Sequence, residues 1–355
     1  MAVCSDGLTV DSLDRISHWY LRELCHKEAS ENLILFIQNL PISANWGDGT
    51  RSSSDGQRFA VERKSAFTRA YPRYFGHYDK AFTIYTHVSD TYSAFSTQVI
   101  GCHEREALFV LNGILDLKSS FSIQAHSTDT HGYTDVLFGL MYLLGISFQP
   151  HIADLADARI LRPVQSEIKP KFSKLFSDKI DLDFVAEQWQ EIQKLKTALI
   201  MKSISADILA QRLTKTLYAD RMSKAVGALG SMVKTIWVVH YLNDRELRGK
   251  VRKQLNRGEE RHALAKKLFF ANQGRLRTGD RLSMMNKPSC LSLLSNGVLA
   301  WNAWHMQKAV DKLKSEGTVF SRQTLSHISP LMHEHVIPSG SYEFKKLRFG
   351  AELRE

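Results

Sequence analysis

A chain of 355 residues, 43% of them hydrophobic, is long enough for two domains or for one with a large insertion, and apolar enough to exclude a disordered segment. No run of about 18 apolar residues is read in it, which argues against a membrane span, and the start (Met1, Ala2, Val3, Cys4, Ser5, Asp6) has neither the basic nor the apolar region of a signal peptide. Cys4, Cys25, Cys102 and Cys290 form no CxxC pair, so a zinc site of the usual spacing is excluded and a reducing compartment fits, while a formal charge of +10 favours a polyanionic partner.

The chain opens with a predicted helix over residues 11–38, from Leu13, Ile16, Tyr20, Leu24, Leu33, Leu35 and Ile37 near helical spacing. Residues 47–57 are small and polar and have the composition of turns. β-Branched and aromatic runs at 81–88, 95–100 and 121–126 predict strands. Residues 134–144 then predict a buried helix stopped by Gly145, and 146–148 a short strand. After Pro163 no strand signal is read. Residues 182–242 carry apolar residues three and four apart, Asn256-Arg257-Gly258 punctuates the pattern, and further helices are predicted from Glu259 to Asn272 and over 290–314. Residues 244–277 hold eleven Lys and Arg against four Asp and Glu, so about a tenth of the chain carries most of the excess charge. The division expected is a helical lead-in (1–44), an α/β core (45–163), a helical insertion (164–250) and a C-terminal helical part (251–355).

Three acidic positions stand out by their place. Asp55 lies in the Ser/Gly-rich segment entering the sheet region, Asp129 just past a predicted strand, and Glu259 at a predicted helix start inside the basic block. Phosphodiester chemistry uses such a set. Carboxylates hold Mg²⁺, two such ions stabilise the attacking and leaving oxygens of an in-line displacement, and basic side chains hold the nucleic-acid backbone. Position alone is a weak signal, because an acidic residue at a strand end or helix start is ordinarily a turn former or cap.

The wording of the sequence is more specific. WGDGT and SSSDGQRF (46–50 and 52–59) are followed in order by PRYFG (72–76), YTHVSD (85–90), HSTDTHGYTD (126–135) and PHIADLADAR (150–159). NRGE (256–259), CLSLLSNGVLAWNAWHM (290–306) and LSHISPLMHEH (325–335) complete the series. Together they resemble the Tn-three family of bacterial transposases, the cointegrate-forming replicative elements. The resemblance implies an α/β fold with an RNase H-like core, a mixed sheet flanked by helices, interrupted by a large all-helical insertion. It also implies an Asp-Asp-Glu triad for metal-dependent phosphoryl transfer, first by water and then by the freed 3′-OH. Asp55, Asp129 and Glu259 match the family's metal-binding positions, with Asp48 competing for the first place and Asp135, less well, for the second. Mg²⁺ is the implied cofactor, with Mn²⁺ as the alternative ion. The implied partners are transposon-end and target DNA, with no membrane; a homodimer on DNA and a bacterial cytoplasmic, nucleoid-associated location are expected. Family members are far longer, and the likeness covers roughly their C-terminal third. A non-catalytic DNA-binding remnant and another RNase H-like nuclease are the rival readings.

Arg257 and Arg261, beside Glu259, are candidates for phosphate contacts, as are Arg252, Lys253, Lys266 and Lys267 in the same basic block. His126 and His131 flank Asp129, where a packing or hydrogen-bonding role competes with contact to DNA or metal-bound water. Tyr133 is open between support and substrate positioning. Trp301, Trp304 and Met306 read as packing residues of the last long helix rather than base-stacking ones.

Overall fold

The structure is a computed structural model describing residues 5–342 apart from 6, 63–67, 71–79, 117–120, 131, 154–159, 165–166, 168, 171–173, 175, 216–219, 270–273, 277–280 and 339. The expected N-terminal helix is two: α1 (Val10–Trp19), which opens on a Thr9/Ser12 capping box, and α2 (Glu23–Gln38). Of the two, only α2 buries residues (His26, Ile34 and Ile37). Nothing in residues 20–22 explains the break.

Strand β1 (Arg51–Val61) pairs antiparallel with β3 (Lys80–Ser89). The far side of β3 carries β4 (Ala94–Gly101) and the two-residue β2 (Arg69–Ala70), both antiparallel. On its other side β1 pairs in parallel with β5 (Ala125–Ser127), which pairs in parallel with β6 (Ser147–Phe148). The turn composition expected over 47–57 therefore holds only as far as Thr50. Ser52, Ser53 and Ser54 extend into the middle of a sheet because each hydroxyl finds a buried partner there, the first and last on His126 and the second on Gln254.

Both faces of this sheet are covered. Tyr85 and Ile100 join a core with α3 (Val110–Leu115), α4 (Asp135–Leu143) and the helices that follow. Phe59, Phe82 and Ile84 point the other way, onto Ala265, Met284 and Leu291. Successive side chains of a strand alternate between faces, so β1 sends Ser53, Asp55, Gln57 and Phe59 to the second side. With both faces covered, every residue of β3 but Lys80 is buried, the polar Thr83, Thr86, His87 and Ser89 included.

Past residue 159 β7 (Ile160–Pro163) pairs in parallel with β8 (Phe176–Ile180), and β8 lies where no strand was expected after Pro163. Helices α5 (Leu182–Glu187), α6 (Trp189–Ile200), α7 (Ala206–Lys215) and α8 (Arg221–Asn243) follow. Helix α8 is long and apolar enough to cross a membrane by length and composition, although Ser231, Lys234, Thr235 and His240 interrupt its apolar run. Half of that window is buried, as in a core helix. It crosses α4 at two glycines, and a Cβ on Gly230 would collide with the Asp135 carbonyl.

Helix α9 (Arg245–Leu268) is capped by Asp244, whose carboxylate accepts from Leu247 N at 2.9 Å. It runs unbroken through Asn256-Arg257-Gly258, so Glu259 lies mid-helix and not at a helix start. One glycine costs a helix about 1 kcal/mol, too little to stop one that buries Val251, Gln254, Arg257, Arg261, Leu264 and Ala265. The boundary expected at 250/251 thus falls inside this helix. Helix α10 (Arg281–Ser315) and the short α11 (Arg322–Ser326) complete the fold.

Candidate active site

Mid-strand on β1, opposite Thr86 of β3, Asp55 points toward α9. Asp129 follows β5 by two residues, in a tight turn where its carbonyl accepts from Gly132 N at 3.2 Å. A Cβ on Gly132 would meet Thr128 at 2.6 Å, so the turn takes glycine. From α9 come Glu259 and, one turn on, His262. Asp55, Asp129, Glu259 and His262 line one open cleft of about 1160 Å³, with Glu106, Arg58, Tyr133 and Lys266 on its walls. Asp48, the rival first aspartate, lies outside it and accepts from Thr50 N and Oγ1 at 3.1 and 2.6 Å. Asp135 starts α4 and is held by Lys234 and by the Ser231 hydroxyl at 2.9 Å.

The donor atoms of Asp55, Glu259 and His262 lie within 4.8 Å of one another. His262 Nδ1 is 3.8 Å from Asp55 Oδ2 and 3.7 Å from Glu259 Oε2. The two carboxylates respond in opposite directions. Burial pushes Asp55 up to about 6, against the pull of His262 and with the further push of Glu106 and Asp129. Glu259, whose side chain is 72% exposed against 28% for Asp55, is held below the usual carboxylate range by the His262 ring turned toward it. Burial also raises Glu106, opposed by Arg58, whose Nη2 is 3.4 Å from it. Asp55 and Glu106, each pushed up in part by neighbouring carboxylates, mark a site short of positive charge, and hard oxygen donors beside one imidazole are a set a divalent cation accepts. The residues present fit such an ion.

Beneath Asp55 runs a buried polar chain. The two ring nitrogens of His126 each sit 2.8 Å from a hydroxyl, Nδ1 from Ser52 Oγ and Nε2 from Ser54 Oγ, and Ser54 Oγ is 2.7 Å from Tyr85 Oη. Burial holds this imidazole well below its ordinary value, and therefore neutral. The hydrogen-bonding role read for His126 is the one the structure gives it. His131 and residues 72–76 lie outside the described residues.

The six basic candidates divide by face. Arg252, Lys253, Lys266 and Lys267 are exposed. Arg257 and Arg261 are only 5% and 3% exposed. Arg257 donates to Gln254 Oε1 at 2.8 Å and to Trp46 O at 2.7 Å, over the Tyr92 ring. Arg261 donates to Ser292 Oγ at 2.8 Å. The phosphate contacts expected of these two are corrected here: both lie inward, tying α9 to the sheet and to α10. Trp304 packs on Phe36, and Met306 packs with it against the same core, whereas Trp301 is half exposed and stacks on His335. The sequence reading passed over His262 and Glu106. A signal existed for His262, since it follows Glu259 by three residues and so shares its helix face. Glu106 comes in from a short 3-10 turn (Glu106–Leu108), with no such mark.

A family model described as "Tn3 transposase DDE domain" matches residues 1–342. Among curated proteins, the transposase for transposon Tn1546 of Enterococcus faecium is 33% identical over 344 residues, 97% of this chain and 34% of that protein. The transposase for transposon Tn501 of Pseudomonas aeruginosa is 32% identical over 349 residues, 98% and 35% of the two chains. That for transposon gamma-delta of Escherichia coli (strain K12) is 32% identical over 338 residues, 95% and 34%. The chain spans about a third of the length of these relatives. With a family model matched over nearly its whole length, the chain belongs to the Tn3 transposase DDE domain family.

Proposed function

We propose that this chain is the catalytic region of a DNA transposase, with an RNase H-like core and Asp55, Asp129 and Glu259 as its metal-binding triad. The observation that carries the reading is the meeting of these three carboxylates, 74 and 130 residues apart in sequence, in one cleft. The path β4-β3-β1-β5-β6, with only β3 reversed, supports the RNase H-like core. Asp55 rides its central strand and Asp129 follows the parallel neighbour, so the sheet fixes their direction. Residues 160–243 are the insertion before the glutamate helix.

Divalent ions, Mg²⁺ by preference and Mn²⁺ as the alternative, supply charge for the attacking and leaving oxygens of an in-line displacement when bound. The chain's own contribution is to hold and orient. Asp55, Asp129 and Glu259 hold the cations, and Lys266 on the cleft wall offsets phosphate charge. Arg252, Lys253 and Lys267, exposed on the same helix, hold the DNA backbone without reading bases. Water attacks a phosphodiester at the transposon end, the 3′-oxygen leaves, and the freed 3′-OH then attacks target DNA. The substrates are transposon-end and target DNA, bound as a homodimer at the nucleoid of a bacterial cytoplasm.

Asp129→Asn tests the triad. The variant is expected to lose Mg²⁺-dependent nicking of transposon-end DNA while keeping the wild-type circular dichroism spectrum and melting curve. Nicking at the wild-type rate by the pure variant would refute the assignment.

A further inference from the structure

We infer that His262 is a metal ligand, so that one cation of this site is held by two oxygens and one nitrogen, from Asp55, Glu259 and His262. The inference rests on the metal-site reading above and adds to it a donor of different chemistry.

Three observations carry it. Glu259 and His262 are three residues apart on α9, so both side chains leave the same helix face one turn apart. That turn is fixed to the strand bearing Asp55, because Gln57 of β1, itself buried, donates Nε2 to the carbonyl of His262 at 2.9 Å. The imidazole is then confined, its side chain 12% exposed, with Nδ1 3.8 Å from Asp55 Oδ2 and 3.7 Å from Glu259 Oε2.

Those separations are too long for hydrogen bonds. They fall inside the span of donors sharing one ion: two atoms about 2.1 Å from a metal are about 3.0 Å apart at right angles and about 4.2 Å when opposite. A histidine serving only to orient the carboxylates would close to hydrogen-bond distance on one of them. This one keeps its Nδ1 nearly equidistant from both.

The donor set has a consequence for ion choice. Carboxylates alone suit Mg²⁺, whereas imidazole favours transition ions. Mn²⁺ is therefore expected to bind more tightly than Mg²⁺, and His262→Gln to reduce that difference. Loss of even an outer-shell partner costs metal sites about 10–100-fold, so Mn²⁺ affinity in His262→Gln should fall by at least about tenfold.

The test uses the full chain with Mn²⁺ as the probe, without DNA, read by pulsed electron paramagnetic resonance. Wild-type protein should show nitrogen-14 modulation on bound Mn²⁺, and His262→Gln should lose it. Asp55→Asn and Glu259→Gln should weaken binding of the ion. Wild-type spectra need no variant to fold, so they decide the matter alone in one direction. Mn²⁺ whose binding depends on Asp55 and Glu259 but which shows no nitrogen coupling overturns the ligand role and leaves the triad standing. Nitrogen coupling that survives in a folded His262→Gln protein overturns it as well, since another histidine would then be the donor. Binding indifferent to both carboxylates overturns the ligand role and the triad together.

Discussion

Two imidazoles under the sheet hold their place by staying neutral. His87 is fully buried, gives one hydrogen bond to the Val110 carbonyl at 2.9 Å, and is pushed down to about 4 by burial. His126, its ring 5.5 Å away, is also pushed down by burial. An unfolded histidine takes up its proton near pH 6.5, so between there and pH 4 the unfolded chain binds protons that folded His87 refuses. Stability is then present above about pH 6.5 and lost as pH falls toward 4. Asp55, pushed up to about 6, acts with the opposite sign: folded Asp55 takes its proton before the unfolded group does, and so gains stability as pH falls below 6. In metal-free protein the histidine loss, about 3 kcal/mol for His87 alone at 1.36 kcal/mol per unit, is expected to exceed that gain. Urea midpoints at pH 7 and pH 4.5 measure the net loss, and Asp55→Asn should enlarge it. A midpoint that does not fall, or a smaller loss in Asp55→Asn, contradicts the account.

At the scale of the element, α9 divides its cations by face, and the two faces should answer different assays. Arg252→Gln with Lys253→Gln should leave the melting temperature unchanged and flatten the salt dependence of DNA binding, each lost phosphate contact removing on the order of 0.9 from the log–log slope. Arg257→Ala should instead cost at least about 1–3 kcal/mol, since it leaves the Trp46 carbonyl and Gln254 Oε1 buried without their donor. The reverse pattern would show that the buried face is misassigned. Two helical glycines give an equally sharp contrast. Gly258 of α9 has open space where a Cβ would stand, so Gly258→Ala should stabilise by about 0.5–1 kcal/mol in denaturant titrations. Gly230→Ala of α8 meets the Asp135 backbone and should destabilise by about 3 kcal/mol or more, because neither helix can give way without opening the core between them.

For the whole molecule, residues 160–243 lie between the sheet and α9 in chain order but do not form a core of their own. Leu137, Leu140 and Met141 of α4 share one core with Ile192, Leu199, Leu209, Val226 and Trp237 of the helical block, and with Tyr85 of the sheet. Excising residues 164–243 would expose that surface. The shortened chain is expected to keep far-ultraviolet circular dichroism, lose its near-ultraviolet signal and bind a hydrophobic dye. A shortened chain with native near-ultraviolet signal and no dye binding would show the block to be an independent unit. Membership of the Tn3 transposase DDE domain family was legible at this scale, because ordered motif strings span nearly the whole chain.

The sequence by itself determined the long helices, the β-branched and aromatic strands β3 and β4, and the order of the acidic positions. Those rest on local signals: periodicity, β-branching, and strings that stay together along the chain. Sequence did not show that SSSDGQ is a strand, because its hydroxyls look like turn formers until His126 and Gln254 supply buried partners from 74 and 201 residues away. Nor did it show that Gly258 fails to stop α9, since a weak local penalty yields to a buried face only when that face exists. The division of the basic block, with Arg257 and Arg261 inward and Arg252, Lys253, Lys266 and Lys267 outward, was decided by which side of the helix meets the sheet. The places of Glu106 and His262 in one cleft with Asp55, Asp129 and Glu259 were decided the same way. A carboxylate's partner is set by distance in space, and among residues 50 to 200 apart in sequence only the tertiary structure fixes that distance.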